Sequence, residues 1–332
     1  MEYMSGAREN ISGKLSPDAL GRSVFGALGA QRPEVMTGPA VGEDAAVIRW
    51  TGENFLVFAS DPIVGASSGA GKLLVRVNVN DIASKGGDPA YIVVTIIAPP
   101  SLGERYVSSV MTEIHEECMA YGIAIVGGHT EFNDMYDHPV LSAAMIGKAE
   151  KLFRASDISP GDSLFVTGHV GIEGMAILAA DRPDLLADIL TADKIEAIRG
   201  WINETCVLEE SKLIREHASF MHDPTEGGFW GGVSEISRLA NLSADIDAGK
   251  VQVHEYTERT SAALGFDPLK LVASGSLLAV VKEENTKYAE RAFINSGIPL
   301  SKVGIFSDKP YKESGGASHE ELWGLLKRPR RS

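Results

Sequence analysis

Only two cysteines, Cys118 and Cys206, occur among 332 residues. They are too few and too far apart for a disulfide framework, and they lack zinc-site spacing. Both fall in helix-like apolar patterns, which predicts buried structural thiols. Basic residues are also scarce: Lys and Arg number 31 against 45 Asp and Glu, a net charge of −14. A nucleic-acid partner needs a basic footprint, so none is expected. No apolar run reaches the roughly 20 residues of a membrane span. The polar stretch Met1 to Lys14 has no apolar core of a signal peptide. The expectation is a cytoplasmic protein without a membrane partner. Three familiar catalytic signatures are missing as well: the Gly-x-x-x-x-Gly-Lys-[Ser/Thr] phosphate loop, the His-Glu-x-x-His zinc helix and the Gly-x-Ser-x-Gly nucleophile elbow. A nucleotide would therefore need another cradle.

The chain is long enough for two sizeable cores. Its 44% hydrophobic and 23% charged content is that of an ordinary globular protein. Ser16-Pro17-Asp18 is a good helix start, predicting a helix to about Leu28. Ala45–Trp50 and Phe55–Ser60 read as a hairpin. Gly71–Lys85 and Leu102–Tyr121 read as helices, each stopped by glycine. Tyr91–Ala98, Ile123–Val126 and Val140–Ala149 read as strands. The second half holds strands at Leu164–Thr167, Ser219–Met221, Leu277–Val281 and Val303–Phe306. Helical patterns occur there at Ile172–Ala180, across Asp184–His217, from about Thr225 to Ala240, and at Glu284–Asn295. The tail from Lys327 is basic and expected to fray. The fold class is α/β (α+β), with a boundary near Lys151–Phe153 that gives domains 1–152 and 153–332.

Four acidic stations adjoin these elements: Asp44, Asp61, Asp81 and Asp223. Each alone could be a turn or capping carboxylate. Together they suggest a hard divalent cation shared with phosphate oxygens. In His222-Asp223-Pro224-Thr225-Glu226-Gly227-Gly228, Asp223 as N-cap and Pro224 at the first helical position explain part of the pattern. Gly227 and Gly228 would let a phosphate approach a helix N-terminus. Gly127-Gly128-His129-Thr130-Glu131 reads as a polar loop leaving a strand; its histidine is either functional or an ordinary loop residue. Asn78, Asn80 and Asp81 interrupt an apolar helix, where they would need partners. Lys72, near the start of that helix, could neutralise phosphate charge. His222 and His129 are the candidate bases, since histidine titrates near neutrality.

The ordered set Gly42-Glu43-Asp44-Ala45-Ala46, Ser60-Asp61-Pro62, Val79-Asn80-Asp81, Gly127-Gly128-His129-Thr130 and His222 to Gly228 resembles the aminoimidazole ribonucleotide synthetase (AIR synthase) superfamily. The resemblance implies a two-domain fold in which the N-terminal sheet pairs with a second subunit into a barrel. A C-terminal mixed sheet flanked by helices follows, with ATP and Mg²⁺ in the groove between. It further implies Mg²⁺ at Asp44, Asp61, Asp81 and Asp223. Lys72, Asn80, Gly127, Gly128, His129, Thr130, Thr225, Gly227 and Gly228 would lie on the nucleotide. Gly71-Lys72-Leu73, Gly171 to Leu178 and Phe266-Asp267-Pro268-Leu269 are similar to the hydrogenase-maturation carbamoyl dehydratase branch. The chain departs from that branch at Ser274, where an acid is expected, and ends in Arg330-Arg331-Ser332 rather than cysteine. A serine cannot act as a carboxylate base, and no terminal thiol is offered for attachment.

The resulting expectation is a homodimeric Mg-ATP-dependent ligase or transferase that phosphorylates and activates an oxygen of a small-molecule substrate. The alternatives are a small-molecule kinase of the thiamine-monophosphate kinase type, or a non-catalytic nucleotide-binding dimer with a maturation or regulatory role; a maturation partner protein is a further expected partner.

Overall fold

A computed structural model describes residues 17–18, 25, 28, 32–51, 54–64, 69–312 and 320–329. The helix expected from Ser16 to Leu28 lies mostly outside these residues, although Pro17 and Asp18 are helical. From Pro33 onward the chain forms two sheets. The first contains β1 (Val35–Thr37), β2 (Ala46–Arg49), β3 (Phe55–Val64), β4 (Asp88–Ala98), β5 (Ala124–Phe132) and β6 (Val140–Ala149), in the order β1-β2-β3-β6-β4-β5. The hairpin is the expected one, with Ala46 opposite Phe58 and Arg49 opposite Phe55. Only β4 and β5 run parallel. They need a crossover, and the helix Gly103–Tyr121 supplies it.

That helix and Ala70–Ser84 cover one face of the sheet. The contact is close because Gly71 has no side chain: a Cβ there would lie 2.6 Å from the Val110 carbonyl oxygen. Leu74, Val75, Val79 and Ile82 are fully buried, each worth about 1.5–3 kcal/mol in apolar burial. Among the described residues no helix covers the opposite face. Rows Phe58–Ile146–Tyr91 and Ser60–Ala144–Val93 run across it. Tyr91 and Val93 stay exposed there, as do Val64 and Val126 elsewhere on the sheet. The sheet is open within one chain.

The second sheet contains β7 (Ser163–Thr167), β8 (Ala218–His222), β9 (Ala244–Ile246), β10 (Leu278–Val281) and β11 (Leu300–Phe306), ordered β8-β10-β7-β11-β9 with every pair antiparallel. Its strands β7 and β10 are buried on both faces. The core includes Phe165, Phe220, Phe229 and Phe306. Helices at Gly228–Ala240 and Thr286–Phe293 contribute to the core of this sheet, while Ile172–Asp181 packs in a separate core with Ala192–Gly200 and Leu271.

Three local expectations change. β5 does not stop at Val126 but continues through Gly127 to Phe132, with Gly128 opposite Val94 and Thr130 opposite Ile96. Gly128 serves close strand approach, since a Cβ would lie 2.1 Å from the Val94 carbonyl oxygen. Cys118 is a buried helix thiol as expected, whereas Cys206 sits half-buried in coil. The tail is held as far as Pro329. The Arg182 guanidinium donates to the carbonyls of Leu325, Leu326, Arg328 and Pro329 while pairing with Asp184.

Candidate functional site

The site is built where the Gly42-Glu43-Asp44 loop meets the second sheet. Gly42 adopts φ 85°, and a Cβ would lie 2.9 Å from Glu235 Cβ. Only glycine permits that approach to the helix Gly228–Ala240. The loop thereby delivers two acids to buried cations. Glu43 pairs with Lys85 at 2.5 Å, and Lys85 is 1% exposed. Asp44 pairs with His222 Nδ1 at 2.7 Å, and His222 Nε2 meets Glu235 at 2.8 Å. Burial opposes charge on the imidazole, but Asp44 and Glu235 outweigh it and hold His222 at about 10. Burial likewise opposes charge on Asp44; the His222 cation, Lys85 and Ser84 overcome it and keep the carboxyl below its ordinary range. His222 is therefore a fixed cation with both nitrogens engaged. In this arrangement the ring holds Asp44 and Glu235, and an imidazolium has no lone pair to accept a proton.

Asp223 follows directly and has the opposite surroundings. It is 2% exposed, and neither carboxylate oxygen has a hydrogen-bond partner. Burial raises its pKa well above the usual carboxylate value; the Asp44 and Glu173 charges add to this, while His222 and the nearby Asn80 amide oppose it. Its backbone N–H reaches Asp44 at 3.3 Å, so the two acids are neighbours. The capping reading fails here. The helix begins at Gly228 with Gly227 as its N-cap, leaving Asp223 four residues upstream. The expected phosphate cradle changes too. Gly227 N–H donates to Glu320 at 2.8 Å, and Gly228 N–H donates to the Thr225 carbonyl at 3.0 Å. Gly228 is needed for packing: with φ 60°, its Cβ would lie 2.5 Å from the Leu271 carbonyl oxygen. Glu320 also accepts from Val272 and Leu322, and burial still pushes it up to about 7.

Several of the remaining candidates lie on or beside the helix Ala70–Ser84. Asn78 accepts from the Asp61 backbone N–H at 3.2 Å and donates to the Leu74 carbonyl. Asn80 donates to the Thr205 carbonyl at 2.8 Å and accepts from Val207 N–H at 2.9 Å. The protein thus supplies partners that were expected from a ligand, and Asn80 ties the helix to the second half beside Asp223. Asp81 is buried on the same helix. Asn78 and Ser84, which neighbour Asp61 and Asp44 respectively, are six residues or about 9 Å apart along the axis. Among the described residues, no three His, Cys, Asp or Glu side chains meet as a ready metal site. Lys72 lies half-buried in the first turn, away from the Asp44 end. His129 is on β5 with its side chain 64% exposed, paired with Glu131 at 3.2 Å. Gly127 and Thr130 lie exposed on that strand, and Thr225 is half-buried in the loop before Gly228. A cavity of ≈ 620 Å³ lies elsewhere, among Trp50, Asp88, Lys148, Lys151 and Arg215, and holds none of these residues.

Residues 42–149 match the model of the AIR synthase related protein, N-terminal domain, and residues 159–314 match that of the AIR synthase related protein, C-terminal domain. The chain belongs to the AIR synthase related family. A relative in this family is a Methanocaldococcus jannaschii protein named for hydrogenase expression and formation, 28% identical over 290 residues, covering 85% of this chain and 83% of the relative. Among solved structures, AaThiL complexed with AMPPCP and TMP is similar with TM-score 0.69 and 18% identity, covering 82% of this chain and 87% of that one. The HypE–HypF complex gives TM-score 0.68 and 21% identity, with coverages of 88% and 94%. These structures establish the AIR synthase-like fold. No helix among the described residues is long and apolar enough to cross a membrane.

Sequence reasoning gave no role to Glu43, Lys85, Glu235, Glu173 or Glu320. Lys85 had a local signal, as a lysine closing an otherwise apolar helix. Glu235 and Glu320 had none, because their partners are distant in sequence.

Proposed function

We propose that this AIR synthase related protein is a Mg-ATP-dependent enzyme that phosphorylates, and so activates, an oxygen of a small-molecule substrate. The observation that carries this is Asp223: a buried carboxylate whose oxygens meet no hydrogen-bond geometry among the described residues, next to a second acid. Such a group costs free energy unless a ligand answers it. A divalent cation fits, because Mg²⁺ characteristically takes one or two carboxylates and completes its shell with phosphate oxygens and water. Asp223 would hold it with Asp44 alongside; Asp61 on β3 and Asp81 on the helix Ala70–Ser84 are the other candidate acids. Bound there, the cation would neutralise phosphate charge.

The chain's own residues do the positioning. His222 and Glu235 fix Asp44; Asn80 joins the helix Ala70–Ser84 to the segment Thr205–Val207; Gly228 seats the Asp223 loop on Leu271. In the reaction class proposed, the acceptor oxygen forms a bond to the γ-phosphorus, the bridging P–O bond breaks and ADP leaves. The AMPPCP and TMP bound by the similar AaThiL structure support the kinase form of this reading. The exposed apolar face of the first sheet supports a homodimer, since Tyr91 and Val93 would otherwise stay in water. The HypE–HypF complex supports a maturation partner as a second reading; Ser274, standing where the dehydratase branch carries an acid, favours it.

The test is Mg²⁺-dependent ATP turnover by wild type and Asp223→Asn against a panel of small acceptors. ADP formed by wild type and absent in the variant is the expected result. Equal ADP from both would remove Asp223 from the chemistry.

A further inference from the structure

The geometry points to a binding site for a small aromatic zwitterion, of the class of an aromatic amino acid, in the ≈ 620 Å³ cavity between the β2–β3 hairpin and the end of the helix Leu208–Ile214. The site shares no residue with the Asp223 region and does not depend on the reading above.

The cavity is walled by both halves of the chain. Trp50, Asn54 and Phe55 come from the hairpin, whose turn is closed by the Trp50 N–H donating to the Asn54 carbonyl at 3.0 Å. Arg215 and Glu216 come from the second half. Arg215 joins the walls: its guanidinium donates to the Asp88 carboxylate at 3.0 Å and to the Gly86 carbonyl at 3.3 Å. Between them run Lys148, Glu150 and Lys151, at the end of β6 and the start of the connection to the second half. The volume falls in the usual range of small-molecule sites, about 300–1,000 Å³.

Trp50 supplies the aromatic surface. It is 63% exposed, more than any other aromatic side chain among the described residues. An indole face left in water at the wall of a cavity is a place for another ring to stack.

The charges supply the rest. Arg215 and Asp88 answer each other. The other four do not: among the described residues Lys148 and Lys151 have no carboxylate, and Glu150 and Glu216 no cation, at ion-pair distance. Lys148 lies over the Tyr91 ring at 5.9 Å. Lys151 lies over the buried Phe153 ring at 4.7 Å and donates to the carbonyls of Ala218 at 2.6 Å and Arg215 at 3.3 Å. An ammonium has three hydrogens to donate, so one remains. Single lysines and glutamates on a surface are ordinarily just solvated. Here two of each sign gather around one cavity beside a bare indole. A simple anion would meet the glutamates and a simple cation the lysines; a molecule carrying both charges suits both. Its carboxylate would take the remaining Lys151 hydrogen, its ammonium Glu150 or Glu216, and its ring the face of Trp50. Because the walls belong to both halves, the bound molecule would brace the arrangement in which Arg215 meets Asp88.

The test is calorimetric titration of L-phenylalanine into the full chain, beside three probes that each lack one group: phenylpropanoate without the ammonium, phenethylamine without the carboxylate and L-alanine without the ring. L-Phenylalanine should bind about tenfold or more tightly than each, the size of a lost charged hydrogen bond or ring stack. Trp50→Ala should weaken it by about fivefold or more. Lys151→Met and the double variant Glu150→Gln with Glu216→Gln should weaken it similarly, and Glu196→Gln, on the exposed side of the helix Ala192–Gly200, should leave it unchanged. Should Lys151→Met melt early through loss of its carbonyl contacts, Trp50→Ala and the exposed glutamate pair decide. No binding by wild type at millimolar L-phenylalanine overturns the inference. So does equal affinity for any truncated probe, which would mean that the missing group is not read. Wild-type affinity in Trp50→Ala overturns it as well, because the molecule would then sit elsewhere. None of these outcomes bears on Asp223, whose test is ADP formation.

Discussion

Asp44 and Asp223 are buried a few ångströms apart, and their surroundings differ in kind. Asp44 has a full complement: the His222 imidazolium, with Lys85 and Ser84 nearby. Asp223 has no partner for either oxygen. The contrast separates two uses of a buried acid. A carboxylate whose charge is answered inside the protein holds the halves of the molecule together. One left unanswered is where the proposed cation would bind. The four acidic stations look alike as sequence, yet the structure divides them by what each touches.

The strongest way to break the contrast is to strip Asp44 of its cation. His222→Ala should destabilise the protein by about 3–5 kcal/mol, because it leaves a buried carboxylate uncompensated. Denaturant unfolding would measure this, and a loss under about 1 kcal/mol would mean Asp44 finds another partner. The same pair sets an alkaline limit. His222 is raised from its ordinary 6.5 to about 10, so its contribution is complete below 6.5 and is lost as pH rises through about 10. Unfolding curves between pH 6 and pH 11, compared with His222→Gln, should show wild type losing its advantage in that window.

A smaller effect is expected at the loop that carries Asp223. Gly228→Ala forces a side chain into a left-handed residue against the Leu271 carbonyl, for about 1–3 kcal/mol of lost stability. Thermal melting would measure it, and an unchanged midpoint would show that the loop can shift.

Asp223→Asn should move stability the other way. The folded state raises the Asp223 pKa, so wild type is most stable with this group protonated and loses that contribution as pH rises above the ordinary 3.8. Removing the charge should stabilise the metal-free protein at neutral pH by about 1–2 kcal/mol. Lower stability in the variant would show that the carboxylate has a protein partner in solution. The smallest change is predicted for His129→Ala on exposed β5, within about 0.5 kcal/mol. A larger loss would show that β5 is covered, as a second copy on the first sheet would do.

Much of the fold was legible. The hairpin, the helices Ala70–Ser84 and Gly103–Tyr121 and most strands of both sheets follow from apolar period and glycine stops. β5 was cut short because Gly127-Gly128 signals a turn locally; here those glycines permit a close strand pairing instead. The start of the helix at Gly228 was missed because Asp223-Pro224-Thr225-Glu226 satisfies the local capping pattern, while packing against Leu271 sets the observed N-cap. At the site, the Gly-Gly context that singles out Asp223 was readable in the sequence. Its missing partners were not, nor were Glu173 and Glu235.

By itself the sequence determined the alternation of elements, the acidic balance and the residues placed at strand ends, since those depend on neighbours along the chain. Only the tertiary structure decided which acid is answered and which is left bare. That depends on whether a cation such as His222, 178 residues from Asp44, arrives within hydrogen-bonding distance, and Coulomb attraction in a buried setting rewards only the pairs that packing brings together.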